Sequence, residues 1–75
     1  MLLTQLPTGK KARVVRLTAR SQKRRRLLDL GLIPDTVVKS IRRSPAGDPT
    51  AYLIRGTTLG LRSEETNLVE IKELS

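Results

Sequence analysis

Polar and apolar residues alternate along most of this chain, and in one stretch the period changes. Val14, Val15 and Leu17 give residues 12–18 the character of a strand, with Arg13 and Arg16 keeping part of it in water. From about Gln22 to Leu30 the spacing turns helical, with Leu27, Leu28 and Leu30 on one broad face. Ser21 stands where an N-cap hydroxyl would accept from a free first-turn amide. Gly31 suits the C′ position, which needs the left-handed conformation, and Pro34 prevents continuation.

Alternation then returns. Residues 36–42 read as a second strand with Val37 and Ile41 on one side and Val38 on the other. Lys39 shares the side of Val37, so a bulge, a twist or an edge position is expected there. Ser44 to Pro49 is a loop rich in turn residues, read as a hairpin connector. A third strand follows over Thr50 to Arg55, with Tyr52 and Ile54 alternating against Ala51, Leu53 and Arg55. Gly56-Thr57 turns the chain into a fourth, Thr58 to Arg62, with Leu59 and Leu61 inward. Ser63 is a candidate N-cap for a helical turn over Glu64 to Asn67, and Val69 and Ile71 define a last strand. Ahead of all these, Leu3 and Leu6 are expected to fold back as an apolar lid, with Pro7 and Gly9 marking a turn.

Five short strands, one helix after the first and one helical turn before the last predict a mainly β fold. The expected form is a small barrel, SH3-like or OB-like, and the length favours the SH3-like one. Residues 1–75 make one domain with a thin core.

Composition narrows the chemistry. There is no Cys and no His, so disulfides, acid–base catalysis by imidazole and thiol nucleophiles are all excluded. The ligands that suit zinc, copper and clustered iron are missing too, so no metal site and no cofactor are expected. The adjacent Glu64 and Glu65 diverge in a helical turn, and no Gly-rich phosphate loop of the required spacing exists. An enzyme is not expected. With no signal peptide and no long apolar run, the expectation is a soluble, cytoplasmic protein. Tyr52 is the only aromatic residue, expected in the core with its hydroxyl reaching water. One aromatic cannot line a groove for proline-rich peptides or stack single-stranded bases.

The net charge of +8 invites an anionic partner. Residues 1–45 hold twelve Lys and Arg against Asp29 and Asp35, for +10, while residues 46–75 hold three against five acids, for −2. The densest run is Lys23, Arg24, Arg25 and Arg26. It crowds the N-terminal half of the helix, where the macrodipole is positive and each cation costs up to ~1 kcal/mol. A local rule broken without structural gain marks a candidate functional site. Arg25 sits opposite the leucines and Arg26 flanks them. Arg42 and Arg43 are read as an extension of the same basic surface.

Taken in order, Leu3, Leu6, Pro7 and Gly9; Arg26-Leu27-Leu28 with Leu30-Gly31-Leu32 and Pro34; Pro45 with Gly47-Asp48-Pro49; and Gly56, Leu59, Leu61-Arg62 and Glu65 resemble the FeoA family over about the whole chain. These are small SH3-like accessory proteins of bacterial ferrous iron uptake. The resemblance implies a cytoplasmic regulator that binds FeoB, a membrane protein carrying a GTPase domain, and that is recruited to the inner membrane by it. It also brings the family's association with transition-metal ions, although this chain lacks His and Cys.

The partner-binding residues expected are Lys23, Arg24, Arg25, Arg26, Arg42 and Arg43, facing FeoB or the anionic inner leaflet. The alternative, supported by charge alone, is a nucleic-acid-binding barrel. Oligomeric state is left open. Asp35 stands where the family usually has Gly, and Asp favours a type I turn there. The same small barrel occurs at the C-terminus of iron-dependent repressors, but Met1 directly precedes the motifs here, so a free-standing protein is expected.

Overall fold

The computed structural model describes residues 1–74. Five strands form one antiparallel sheet: β1 (Lys11–Leu17), β2 (Val37–Arg43), β3 (Thr50–Ile54), β4 (Thr57–Leu61) and β5 (Val69–Glu73), in the order β4-β3-β2-β1-β5. Helix α1 (Ser21–Asp29) connects β1 to β2, and the single turn α2 (Ser63–Thr66) connects β4 to β5. This is the mainly β, SH3-like architecture expected.

The imperfect alternation has a structural cause. Along β1, Ala12, Val14 and Leu17 are buried, and the pairing with β5 slips between Val14 and Arg16. Val15 is the extra residue of that bulge and projects into solvent. In the same way the β2–β3 pairing slips between Ser40 and Arg42, leaving Ile41 as the bulged residue. Val38 and Ser40 face the core, while Val37 and Lys39 face outward. The expected bulge is realised, and β2 is the central strand rather than an edge.

The hairpin between β3 and β4 turns on Arg55-Gly56, one residue earlier than the sequence placed it. Both residues have positive φ, 51° and 81°, as a type I′ turn requires, and Ile54 pairs with Thr57 across it.

The inner side of the sheet is closed from both ends of the chain. Leu3, which opens a 3-10 turn over Leu3–Gln5, and Leu6, which follows it, are almost wholly buried. Ile71 N–H donates to the Met1 carbonyl (2.7 Å), and the Thr4 hydroxyl bonds the Thr66 hydroxyl and Asn67 (2.6 Å each). Tyr52 lies in this core. Its hydroxyl is directed at the Leu3 carbonyl (3.5 Å) rather than at water, which corrects the earlier expectation. Burial raises the phenol's pKa above its ordinary value.

α1 inserts Leu27 into the same core, with Leu28 and Leu30 half-buried beside it. Its C-terminus is a Schellman motif. Gly31 N–H donates to Leu28 O (3.0 Å) and Leu32 N–H to Leu27 O (3.1 Å), and Leu32 is fully buried.

Two further expectations fail beside α1. Ser21 is the first helical residue rather than the cap. Its φ is +55°, and Arg20 occupies the N-cap with no side-chain hydrogen bond. Asp35 adopts φ +76°, so Ile33-Pro34-Asp35-Thr36, closed by Thr36 N–H to Ile33 O (3.0 Å), is a type II turn. Pairing decides this. The turn also has to place Asp35 N–H on Val14 O (2.7 Å) and Val14 N–H on Thr36 O (2.9 Å). Asp35→Gly is therefore expected to stabilise the protein by roughly 0.5–1 kcal/mol, read as a raised denaturant midpoint with an unchanged slope.

Candidate interaction surface

The basic run does not present four equivalent cations. The exposed Arg24 reaches back along α1, and its guanidinium donates to the Leu17 carbonyl at the end of β1 (3.3 Å). Arg26 turns toward α2 and forms an ion pair with Glu65, Nε to Oε2 at 2.7 Å. It thus flanks the apolar face, as the helical spacing placed it, and of the four cations only Arg25 points directly away from the leucines. Lys23 and Arg25 are exposed and hold no hydrogen-bond or ion-pair partner among the described residues. α1 has no acid in its first turn and no side-chain cap, so the opposition between the cations and the dipole stands unrelieved at that end.

Glu65 links the two helices. One carboxylate oxygen takes Arg26, and the other accepts the Arg62 N–H ahead of α2 (3.3 Å). Arg26 is the main cause of a Glu65 pKa below the ordinary carboxylate value. The stabilisation this gives is complete above the unfolded Glu value and fades as pH falls below about 4.5, through the lower folded value. Glu65→Gln should accordingly flatten the acid limb of a stability–pH curve measured by denaturant titration. An acid limb as steep as the wild type's would show that the pair does not couple to folding.

Ser63, read as the N-cap of α2, is its first residue; the Asp48 carboxylate accepts its N–H instead (2.9 Å). The Ser44–Pro49 loop is thereby held against α2 as well as connecting β2 to β3.

Between α1, α2 and the outer edge of β4 lies a cleft of about 530 Å³. Leu27 and Leu68 contribute its apolar surface, Gly60 and Pro49 one wall, and Lys23, Arg26 and Arg62 its positive rim. Arg62, Leu68 and Glu65 were not singled out as site residues from the sequence. They lie far along the chain from α1 (39 residues for the Arg26–Glu65 pair), and no local period encodes that contact.

Arg42 and Arg43 do not extend the helical run. Arg42 pairs with Ala51 on the outward side of the sheet, away from the side that α1 covers. Arg43, its neighbour, turns to donate to the Thr4 carbonyl (3.3 Å). Among the described residues no group of three or more His, Cys, Asp or Glu is placed to hold a metal ion. Among the described residues no helix is long and apolar enough to cross a membrane.

The model of the FeoA domain matches residues 1–73. A curated relative from Porphyromonas gingivalis, an Fe(2+) transport protein A/Fe(2+) transporter FeoB fusion protein, is 31% identical over all 75 residues. This chain spans only 9% of that relative's length. Among solved structures, the FeoA protein from Chlorobium tepidum is 35% identical with a TM-score of 0.91, covering 100% of this chain and 71% of that one. FeoA from Stenotrophomonas maltophilia, solved with zinc and described as a procaryotic SH3 domain protein, is 28% identical with a TM-score of 0.84, over 96% of this chain and 89% of its own. The matched span, the shared fold and the sequence identity together establish that this chain belongs to the FeoA family.

Proposed function

We propose that this protein is a cytoplasmic accessory factor of ferrous iron uptake that binds the cytosolic side of a FeoB-type membrane GTPase and acts by association rather than catalysis. The observation that carries this reading is the Porphyromonas gingivalis relative, in which a segment alignable with this entire chain is joined to FeoB in one polypeptide. Fusion holds two modules at a high effective concentration, which benefits a pair that must meet. The reading treats residues 1–75 as one domain; Ser75 lies outside the described residues.

Within the basic run, the cations free to meet an acidic partner surface are Lys23, on the rim of the cleft, and Arg25, on the side away from the leucines; the other arginines of the helix are engaged within the fold. Complementary charge of this kind sets encounter rate and salt dependence more than the packed contact area does. Titration of the transporter's purified cytosolic domain with the protein tests the proposal. The wild type is expected to bind. K23E/R25E should bind at least about tenfold more weakly, with a shallower salt dependence and no loss of thermal stability, since acids would then stand at the positive end of α1. Equal affinity of the two would remove α1 from the interface, and absence of wild-type binding would remove the partner.

A further inference from the structure

We propose that the outer face of β3, β2, β1 and β5 is a binding surface for an anionic lipid bilayer. It lies on the opposite side of the sheet from α1, and the inference is independent of the proposed protein partner.

Strand register assembles this face from positions that are scattered in the sequence. Lys11 stands directly opposite Lys39, and Arg13 directly opposite Lys72. All four alternate with core residues (Ala12, Val14, Val38, Ile71), so they project outward together. Like charges directly opposite each other across strands are destabilising, and here two such pairs lie side by side. Arg42 lengthens the positive column on β2. The acid interleaved with these cations is Glu70, already engaged by Arg16 at 2.8 Å. Glu73 follows Lys72 at the strand end, opposite Ala12.

The apolar residues of the same face decide what kind of anion fits. Val37 is paired with Arg13 and Leu53 with Lys39, and they are 41% and 37% exposed. Aliphatic side chains between the cations add nothing to a phosphodiester backbone, and base stacking would need an aromatic where Tyr52 is buried. They do suit a headgroup layer, where long basic side chains reach phosphates while apolar neighbours enter the acyl boundary. Three of the four paired cations are lysines. These are point charges suited to a diffuse negative surface, rather than forks matched to one fixed carboxylate or phosphate.

The test is co-sedimentation of the intact protein with vesicles of phosphatidylglycerol and phosphatidylcholine, against pure phosphatidylcholine, at low and high salt. Binding is expected only to the anionic vesicles and should fall with salt. K11Q/K39Q should lower the partition coefficient about twenty-five-fold, each basic residue near such a surface contributing about fivefold. The same double variant should be more stable than the wild type, because the substitutions remove a like-charge pair. V37T/L53T, which leaves the charge alone, should also weaken vesicle binding but leave binding to duplex DNA unchanged. R25Q, on α1, should change partition less than about twofold, since it lies away from the bilayer. The proposal is overturned if the wild type ignores anionic vesicles at low salt, if R25Q costs as much as one sheet lysine, or if V37T/L53T binds like the wild type. Tighter binding to duplex DNA than to vesicles at equal salt would assign the face to nucleic acid instead.

Discussion

Leu27→Ala is expected to lose about 3 kcal/mol, within the range of about 2–5 for a buried Leu, and to sit close to its unfolding midpoint in water at 25 °C. A domain of this size carries only about 3–5 kcal/mol in total, so one such loss removes most of it. Leu27 is the residue of α1 that is fully enclosed, at 1% exposure. Nine residues make a helix that is marginal on its own. This one also lacks a side-chain cap and carries cations at its positive end. Docking through Leu27 is what offsets those penalties. Leu28→Ala and Leu30→Ala, at half-buried positions, should cost clearly less. A urea titration followed by circular dichroism measures all three. A Leu27→Ala midpoint near that of the wild type would mean that α1 is held by something other than its buried leucine.

Gly31→Ala is expected to cost roughly 2–3 kcal/mol. Its φ is +100°, where a Cβ costs about 1–2 kcal/mol by itself. The added carbon would also lie 3.1 Å from Ile54 Cγ2 and 3.3 Å from Arg55 Cδ. Arg55 can move its flexible side chain aside, but Ile54 is 1% exposed and packed in the core, so the remaining cost is overpacking. For a domain this small the melting temperature should fall by about 10–20 °C, at about 4–8 °C per kcal/mol. Gly9→Ala is the matched control. Its φ is similar, +87°, with nothing within 4 Å of the added carbon, so it should show the conformational part alone. Equal losses at the two positions would show that the approach of Ile54 to the helix end carries no energy.

Much of this arrangement was legible residue by residue. Gly31 and Pro34 marked the helix end because each restricts backbone conformation on its own, whatever surrounds it. The departure from alternation around Lys39 announced a bulge for a similarly local reason. The failures share the opposite cause. Ser21 and Ser63 looked like caps by composition, yet the chain enters α1 through an extended Arg20, and the Ser63 amide is taken by Asp48 from a loop fifteen residues away. Asp35 prefers an ordinary turn, but strand pairing imposed the left-handed one.

The basic run was visible as charge, whereas its division was not. Arg26 became part of the fold through Glu65, Arg24 through the Leu17 carbonyl, and Lys23 and Arg25 stayed free. Arg42 left that group altogether for the other side of the sheet, since neighbouring strand residues point in opposite directions.

The sequence by itself determined the order of elements, the end of the helix, the identity of most core residues, the excess of positive charge and the family. These follow from backbone preference, from periodicity and from composition, all of which act within a few residues. Tertiary structure alone decided which cations are spent on the fold and which remain exposed, and that Lys11 would face Lys39 and Arg13 face Lys72. Those outcomes depend on strand register and helix docking, which join segments tens of residues apart and settle only when the whole core packs.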